Sequence, residues 1–309
     1  MKSAPGKELI EEVALEKGID EAFVEKDWYV TQVIKMIADY KVEGFQMIFT
    51  GGTALSKAHG LLQRFSEDID FRVICPGLAA SGKSQQRKLL SDFKRKTFTL
   101  LRDDFDVSED KLFARNDNHF FSIELDYPTA FNRPNALRPH ILTEFTVTSL
   151  SLPVVRRSVS SFINELTKQK PEVETIDCID PVENATDKLS ALVWRIPDRN
   201  REDTNDDPTI VRHIHDLSIL SDYAIGHTEF RRLAIDVIRQ DDERCKKIAG
   251  LPLKEKFGTA IAIIEQEKEY SNEYDRFVKG MSYAATGSVP SFGEAVAKVR
   301  LLIEHVLEK

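Results

Sequence analysis

Cysteine is scarce in this chain. Three residues in 309, Cys75, Cys178 and Cys245, lie far apart in sequence. They show no metal-binding spacing and cannot all pair with one another, which excludes a disulfide scaffold and leads us to expect a reduced, cytoplasmic setting. Long apolar runs are missing as well. No stretch approaches the roughly 20 residues that cross a bilayer, and the opening MKSAPGKELIEEV lacks an apolar centre. Neither a membrane span nor a secretory signal is therefore expected. The seven histidines form no H-E-x-x-H or comparable zinc pattern, and no serine occupies a G-x-S-x-G elbow. Positive charge is also short. Lys and Arg number 43 against 51 Asp and Glu, a formal net charge of −8. That balance argues against a protein basic over its whole surface, but it allows a local basic face.

What is present reads as a globular protein, 41% hydrophobic and 30% charged, long enough for one large domain or two of ordinary size. Residues 7–40 read as helices, with Val24, Val30, Val33, Ile34 and Ile37 at helical spacing. Strands are expected over 45–49, 69–74, 121–127 and 140–150, with a helix-like stretch at 54–62 and a basic helix from Gln86 to Arg102. After Pro153 the pattern turns helical, strongly so at 183–195, 210–222 and 228–309. The segment IPDRNREDTNDDP (196–208) reads as an exposed charged loop. The expectation is an α+β chain: residues 1–155 with a mixed sheet and N-terminal helices, then a mainly helical domain over 156–309.

One segment carries the chemistry, FTGGTALSKAHGLLQRFSEDIDFRV (49–73). A strand ends in Gly51 and Gly52, where the backbone can approach a phosphate because no Cβ intervenes. Thr53 adds a hydroxyl. Asp68 and Asp70 follow, two apart on the next strand, so a period of two places both carboxylates on one face. Two hard oxygen donors on a rigid face suit Mg²⁺ (or Mn²⁺) bound together with the oxygens of a nucleoside triphosphate. Glu124, Asp126 and Glu144 compete for the place of a third metal ligand, and spacing does not choose among them.

Strand, Gly-Gly-Thr, helix and Asp-x-Asp in that order resemble the polymerase-β-like nucleotidyltransferases, and within them the abortive-infection toxins of the AbiEii/AbiGii type. GGTALSK (51–57) with RFSEDIDF (64–71) resembles the first active-site motif of that family. VEKDWYV (24–30) is similar to its N-terminal helix, and LRPHILTEF (137–145) to a following strand in which Glu144 matches a family acid. PVENATDKLSALVWR (181–195) puts Lys188 at the family's active-site lysine, and RHIHDL (212–217) puts Asp216 at its last acid. His213 and His215 stand where relatives often carry Asp and Tyr. The resemblance implies a polymerase-β-like core whose active site is completed by the helical part. Asp68 and Asp70 would hold the metal, Gly51, Gly52, Thr53, Arg64 and Ser66 would bind the nucleotide, and Lys188 and Asp216 would act with them. It further implies a toxin that transfers a nucleoside monophosphate from an NTP to an RNA, the acceptor end of a tRNA, to stop translation and growth, and a cognate antitoxin protein.

Two other readings compete. Gly77, Gly82, Lys83 and Ser84 satisfy the P-loop pattern G-x-x-x-x-G-K-[ST] after a strand and before a helix, the signature of an NTPase. A catalytically silent nucleotide-binding module on the same fold is the other. The helix carrying Lys83, Arg87, Lys88, Lys94, Arg95, Lys96 and Arg102 is the best candidate for a phosphate-tracking RNA surface, with Arg156 and Arg157 as a second cluster.

Overall fold

Alternation along one strand organises the first part of the molecule. In β2 (Asp68–Ile74), Ile69, Phe71 and Val73 are buried, whereas Asp68, Asp70 and Arg72 are partly exposed. A period of two sends the apolar residues to one face and the charged residues to the other. The computed structural model describes residues 4–105, 107–204, 206–284 and 288–308. The chain divides into two compact units. The first comprises Met1–Gly60 and Phe65–Ile179, the second Leu61–Arg64 and Asp180–Lys309.

Two helices open the first unit. α1 (Lys7–Lys17) stops at Gly18, whose φ of 65° only glycine adopts cheaply. α2 (Glu21–Asp39) starts on Asp20, whose side chain accepts from the Ala22 amide at 2.9 Å. β1 (Gln46–Thr50) runs into the single turn α3 (Gly51–Thr53) and a π-helical turn over Ala54–Ala58. After β2 come α4 (Lys83–Arg102), β3 (Leu112–Arg115), β4 (Phe120–Leu125), β5 (Ile141–Val147), β6 (Val155–Val159), the short α5 (Phe162–Leu166) and β7 (Val173–Cys178). Among the described residues the strands form one mixed seven-stranded sheet in the order β3-β4-β5-β2-β1-β7-β6. β2 pairs parallel with β5 and antiparallel with β1.

An aromatic ladder locks the register of the four central strands. Phe49 of β1 opposes Phe71 of β2, Phe71 opposes Phe145 of β5, and Phe145 opposes Phe121 of β4. Their ring centroids lie 5.5, 5.7 and 4.7 Å apart in turn, and all four are buried. Phe93 of α4 packs on Phe121 at 5.8 Å and covers the end of the ladder. Directly opposed residues share a face, so each such pair adds packing beyond its buried area. A slip of one residue would turn the whole ladder towards water.

Three strands escape the sequence reading. β3, β6 and β7 were not expected, and the turn towards helix comes only after Cys178 rather than after Pro153. The reason is their surroundings. β6 is an edge strand whose Arg156, Arg157 and Ser158 are exposed, and its pairing with β7 shifts register between Arg157 and Val159. β7 buries Val173, Ile176 and Cys178, which is not an alternating set.

The second unit is helical: α6 (Pro181–Asp198), α7 (Arg212–Ile225), α8 (Phe230–Gln240), α9 (Leu253–Gln266), α10 (Lys268–Met281) and α11 (Phe292–Leu307). α6 begins at Asp180, which caps the Val182 amide at 2.8 Å with Pro181 as the first helical residue. Residues 199–204 and 206–207 lie outside the helices, several of them exposed, as the sequence led us to expect, but the loop begins later than expected and is braced by ion pairs. Ile196 and Pro197 are buried in the end of α6, and Arg199 is paired with Asp206 at 2.6 Å and with Glu273 of α10 at 2.8 Å. Charges that look solvated in sequence are here matched to one another.

The ladder predicts the cost of breaking it. Phe71→Ala should destabilise the first unit by about 3–5 kcal/mol, the usual range for a buried Phe truncation. Urea unfolding of the two proteins measures this, and a loss below about 1 kcal/mol would mean that something other than the ladder sets the register.

Candidate active site

The exposed side of the ladder carries the acids. Because Asp70 lies opposite Glu144 of β5 in the parallel register, these two carboxylates stand side by side on the same face as Asp68. Glu124 is one strand further away, opposite Leu142, and is engaged by Lys111 at 3.0 Å. Asp126 lies beyond the end of β4. Of the three candidates, strand pairing thus puts Glu144 directly beside Asp70, an adjacency that spacing along the chain could not reveal.

Gly51 sits against this face. Its φ is +77°, and a Cβ built there would overlap the Asp70 Oδ2, with Asp70 Cγ at 2.7 Å and Asp70 Cβ at 3.0 Å. No other residue type fits both the conformation and the space. Gly52 is buried in the turn. Thr53 is also buried, and its hydroxyl donates to the carbonyl of Asp68 and, at 3.4 Å, to that of Ser66. These bonds fasten the glycine turn to the first residues of β2. Thr53 and Ser66 therefore shape the acid-bearing strand directly.

Two buried charges on α2 clamp the same segments. Lys26 is fully enclosed and donates to Glu67 Oε2 at 2.5 Å and to the Arg138 carbonyl at 2.9 Å. Burial pulls its ammonium pKa down, and Glu67 opposes that pull. Its neighbour Asp27 accepts from Lys57 at 2.5 Å and from the Phe162 amide at 2.7 Å. Lys57 closes the GGTALSK motif and Glu67 precedes Asp68, so adjacent residues of one helix hold both halves of the acid-and-glycine site. Glu67 also accepts the Arg138 amide at 2.7 Å, and the Arg138 guanidinium meets Asp68 Oδ1 at 2.7 Å. Lys26, Asp27, Lys57, Glu67 and Arg138 were not singled out from the sequence. The one available signal was a Lys-Asp pair set among Val24, Trp28, Tyr29 and Val30 on an apolar helix.

The second unit holds a separate charge cluster. Asp216 of α7 is fully buried and is gripped by Arg64 through two bonds, Nε to Oδ1 at 2.7 Å and Nη2 to Oδ2 at 2.6 Å. Lys188 of α6 approaches the same Oδ2 at 2.9 Å. Burial opposes ionisation of Asp216, but Arg64 and Lys188 outweigh it and hold the carboxyl well below the usual carboxylate range. Bidentate, charge-assisted bonds of this kind fix geometry as well as charge. His215 Nδ1 lies 3.3 Å from Asp216 Oδ1. The Nδ1 of His213 is enclosed and has no hydrogen-bond partner among the described residues, while its Nε2 lies 3.4 Å from Arg195 Nη1. Burial and the nearby Lys188, Arg212 and Arg195 keep its imidazole neutral, Asp216 being the opposing charge.

The P-loop candidate closes on itself. The Gln86 side chain donates to the carbonyls of Leu78 and Ser81 at 2.9 and 2.8 Å, so this turn presents carbonyl oxygens to the helix that follows, where a phosphate cradle needs N–H donors. Burial pushes the Cys178 thiol up to about 12, which leaves no thiolate there. Among the described residues no three His, Cys, Asp or Glu side chains form a ready-made metal cluster. Asp68 and Asp70 still suit Mg²⁺, which commonly takes one or two carboxylates and draws its other oxygens from phosphates and water.

Residues 41–298 match the family model for the nucleotidyl transferase AbiEii toxin of type IV toxin–antitoxin systems. The chain belongs to this family. It is thus a nucleotidyltransferase toxin, as its motifs led us to expect. Among solved structures it is similar to MenT4, a nucleotidyltransferase toxin from Mycobacterium tuberculosis H37Rv, at 15% identity and a TM-score of 0.61, over 99% of this chain and 90% of that one. At that identity the likeness speaks for the fold, α+β as expected. No curated protein matches the sequence. The family match covers the glycine turn, the acids, Lys188 and Asp216 of this AbiEii-family toxin, but not α2.

Two predictions follow from the geometry. Gly51→Ala and Gly60→Ala both place a side chain at positive φ, but a Cβ at Gly60 meets nothing within 4 Å. Each should lose about 1–3 kcal/mol of stability in thermal melts. Only Gly51→Ala should also lose nucleotide transfer, because only there is Asp70 displaced, and equal transfer in the two variants would refute this. The other concerns His213. Its folded pKa lies below the unfolded value of about 6.5, so below that pH the unfolded chain takes up a proton that the folded one refuses. Stability should fall as pH drops from 8 to 5.5, and His213→Asn should flatten that fall. An unchanged slope in the variant would contradict the assignment.

Proposed function

We propose that this AbiEii-family toxin is a metal-dependent enzyme that transfers a nucleoside monophosphate from an NTP to an RNA, the acceptor end of a tRNA, and so blocks translation in the cytoplasm. The observation that carries the reading is the placement of Asp68, Asp70 and Glu144 on one sheet face with the Gly51 backbone against Asp70. Asp68 and Asp70 would hold Mg²⁺, or Mn²⁺ in its place. Bound there, the ion would polarise the triphosphate and offset the charge of the leaving pyrophosphate.

In this reading the RNA hydroxyl oxygen bonds to the α-phosphorus, the bond between that phosphorus and the bridging oxygen breaks, and pyrophosphate departs. Glu144 accepts the hydroxyl proton beside Asp70. Gly51 and Gly52 let the chain pass close to the phosphates, with Ser66 at the start of the acid-bearing strand. The family resemblance gives Lys188 and Asp216 a catalytic part and Arg64 a part in nucleotide binding, and within the second unit both cations bond Asp216. Such chemistry depends mainly on positioning and charge stabilisation. The acceptor's class is supported by α4, where Arg87, Lys88, Arg95, Lys96 and Arg102 are exposed opposite the buried Leu90, Phe93 and Leu101. Membership of a type IV system also implies a cognate antitoxin.

The test is incubation of the protein with each α-labelled NTP, total RNA and Mg²⁺. The wild type should label RNA. Asp68→Ala and Asp70→Ala should abolish labelling with melting temperatures unchanged, and Lys188→Ala should lower it by orders of magnitude. Lys83→Ala should matter little. Full labelling by Asp70→Ala, or its loss in Lys83→Ala alone, would sink the proposal in favour of the P-loop.

A further inference from the structure

Arg138 is anchored in an unusual way. Its amide donates to Glu67 Oε2 at 2.7 Å and its carbonyl accepts from the buried Lys26 at 2.9 Å, so an ion pair holds its backbone from both sides. Pro139 follows and restricts the chain further. The side chain is treated differently. It is 41% exposed, and its principal ionic bond is Nη1 to Asp68 Oδ1 at 2.7 Å, with Nε a distant 3.9 Å from Glu67 Oε1. A partly exposed guanidinium thus extends from a fixed backbone and rests on one of the two acids read above as metal ligands.

Its charge has a consequence for that site. A cation already bonded to Asp68 offsets the carboxylate and repels a divalent ion that approaches alone. A nucleoside triphosphate reverses this balance, since it brings several negative charges and phosphate oxygens that match the guanidinium fork better than a single carboxylate oxygen does. We infer that Arg138 makes divalent-metal binding at Asp68 conditional on the nucleoside triphosphate, its guanidinium exchanging the carboxylate for a phosphate oxygen as the two enter together. The inference rests on the reading of Asp68 and Asp70 given above. It assigns to Arg138 the coupling between metal and nucleotide, a coupling that linkage requires to be reciprocal. The toxin would then bind little free metal and would assemble its charged site only around a nucleotide.

The experiment is a Mn²⁺ titration followed by electron paramagnetic resonance, with and without an α,β-methylene NTP, on the full chain. Wild type should bind Mn²⁺ weakly alone and more tightly with the nucleotide. In Arg138→Gln, bare Mn²⁺ affinity should rise roughly three- to tenfold, as expected for removing a partly solvated counter-charge. Nucleotide affinity should fall, so the coupling shrinks from both sides. Arg138→Lys keeps the charge and loses the fork, so bare Mn²⁺ should stay weak while nucleotide binding falls. A purely structural role would move both affinities in the same direction or neither, and bare Mn²⁺ affinity unchanged or lowered in Arg138→Gln overturns the inference. Asp70→Ala in the same titration separates the two levels. If it binds Mn²⁺ like wild type, the metal reading of the site has failed. If it does not, and Arg138→Gln shows no gain, only the role of Arg138 has failed. The backbone bonds of residue 138 survive both substitutions, and melting curves check that the variants fold.

Discussion

Everything proposed for the first unit depends on the pairing of Phe49, Phe71, Phe145 and Phe121 across four strands. The ladder is a packing interaction, worth about 0.5–1.5 kcal/mol per aromatic pair beyond burial. Its main effect is registration. With Phe71 opposite Phe145, Asp70 must stand opposite Glu144, and with Phe71 opposite Phe49, Asp70 must stand opposite Thr50, the residue before Gly51. Acids and glycine turn meet because the hydrophobic face permits one alignment only. The electrostatic repulsion among Asp68, Asp70 and Glu144 would favour separating them, and the buried side of the sheet opposes that separation.

The second constraint is charge inside the protein. Lys26 and Asp27 are neighbours of opposite sign on α2, and each reaches a different segment of the candidate site. Buried ion pairs contribute little net stability, because desolvation offsets most of the attraction, but loss of one partner is severe. Their value here is in placement. Glu67 is fixed by Lys26 and by the Arg138 amide, which leaves the next residue, Asp68, in a defined position. Asp216 in the second unit follows the same logic, with two cations from sequence-distant segments converging on one buried carboxylate.

Asp68 and Asp70 were legible in the sequence because alternation is local: D-I-D-F-R-V reads as a two-faced strand without knowledge of its neighbours. Gly51 was legible as a close-approach glycine, though the group it approaches, Asp70, was not. Glu144 could not be chosen over Glu124 and Asp126, since the choice depends on which strand pairs with β2 and in what register. The same limit hid Lys26, Asp27 and Arg138, whose partners lie 30 to 135 residues away. β6 and β7 were missed because an exposed edge strand and its bulged partner need not alternate, and the pairing of Arg199 in the loop after α6 was hidden because paired and solvated charges look alike in a sequence. Family resemblance supplied Lys188 and Asp216, which helical periodicity alone would have left as surface residues.

The central claim is that Asp68 and Asp70 form the metal and triphosphate site of this toxin. Crystals grown with Mn²⁺ and a non-hydrolysable NTP, measured at the manganese absorption edge, test it most directly. The account predicts an anomalous peak in coordination contact with the carboxylates of both Asp68 and Asp70, and phosphate density beside Gly51. Manganese bound away from these two acids, or triphosphate density in the turn from Gly77 to Ser84, would contradict it.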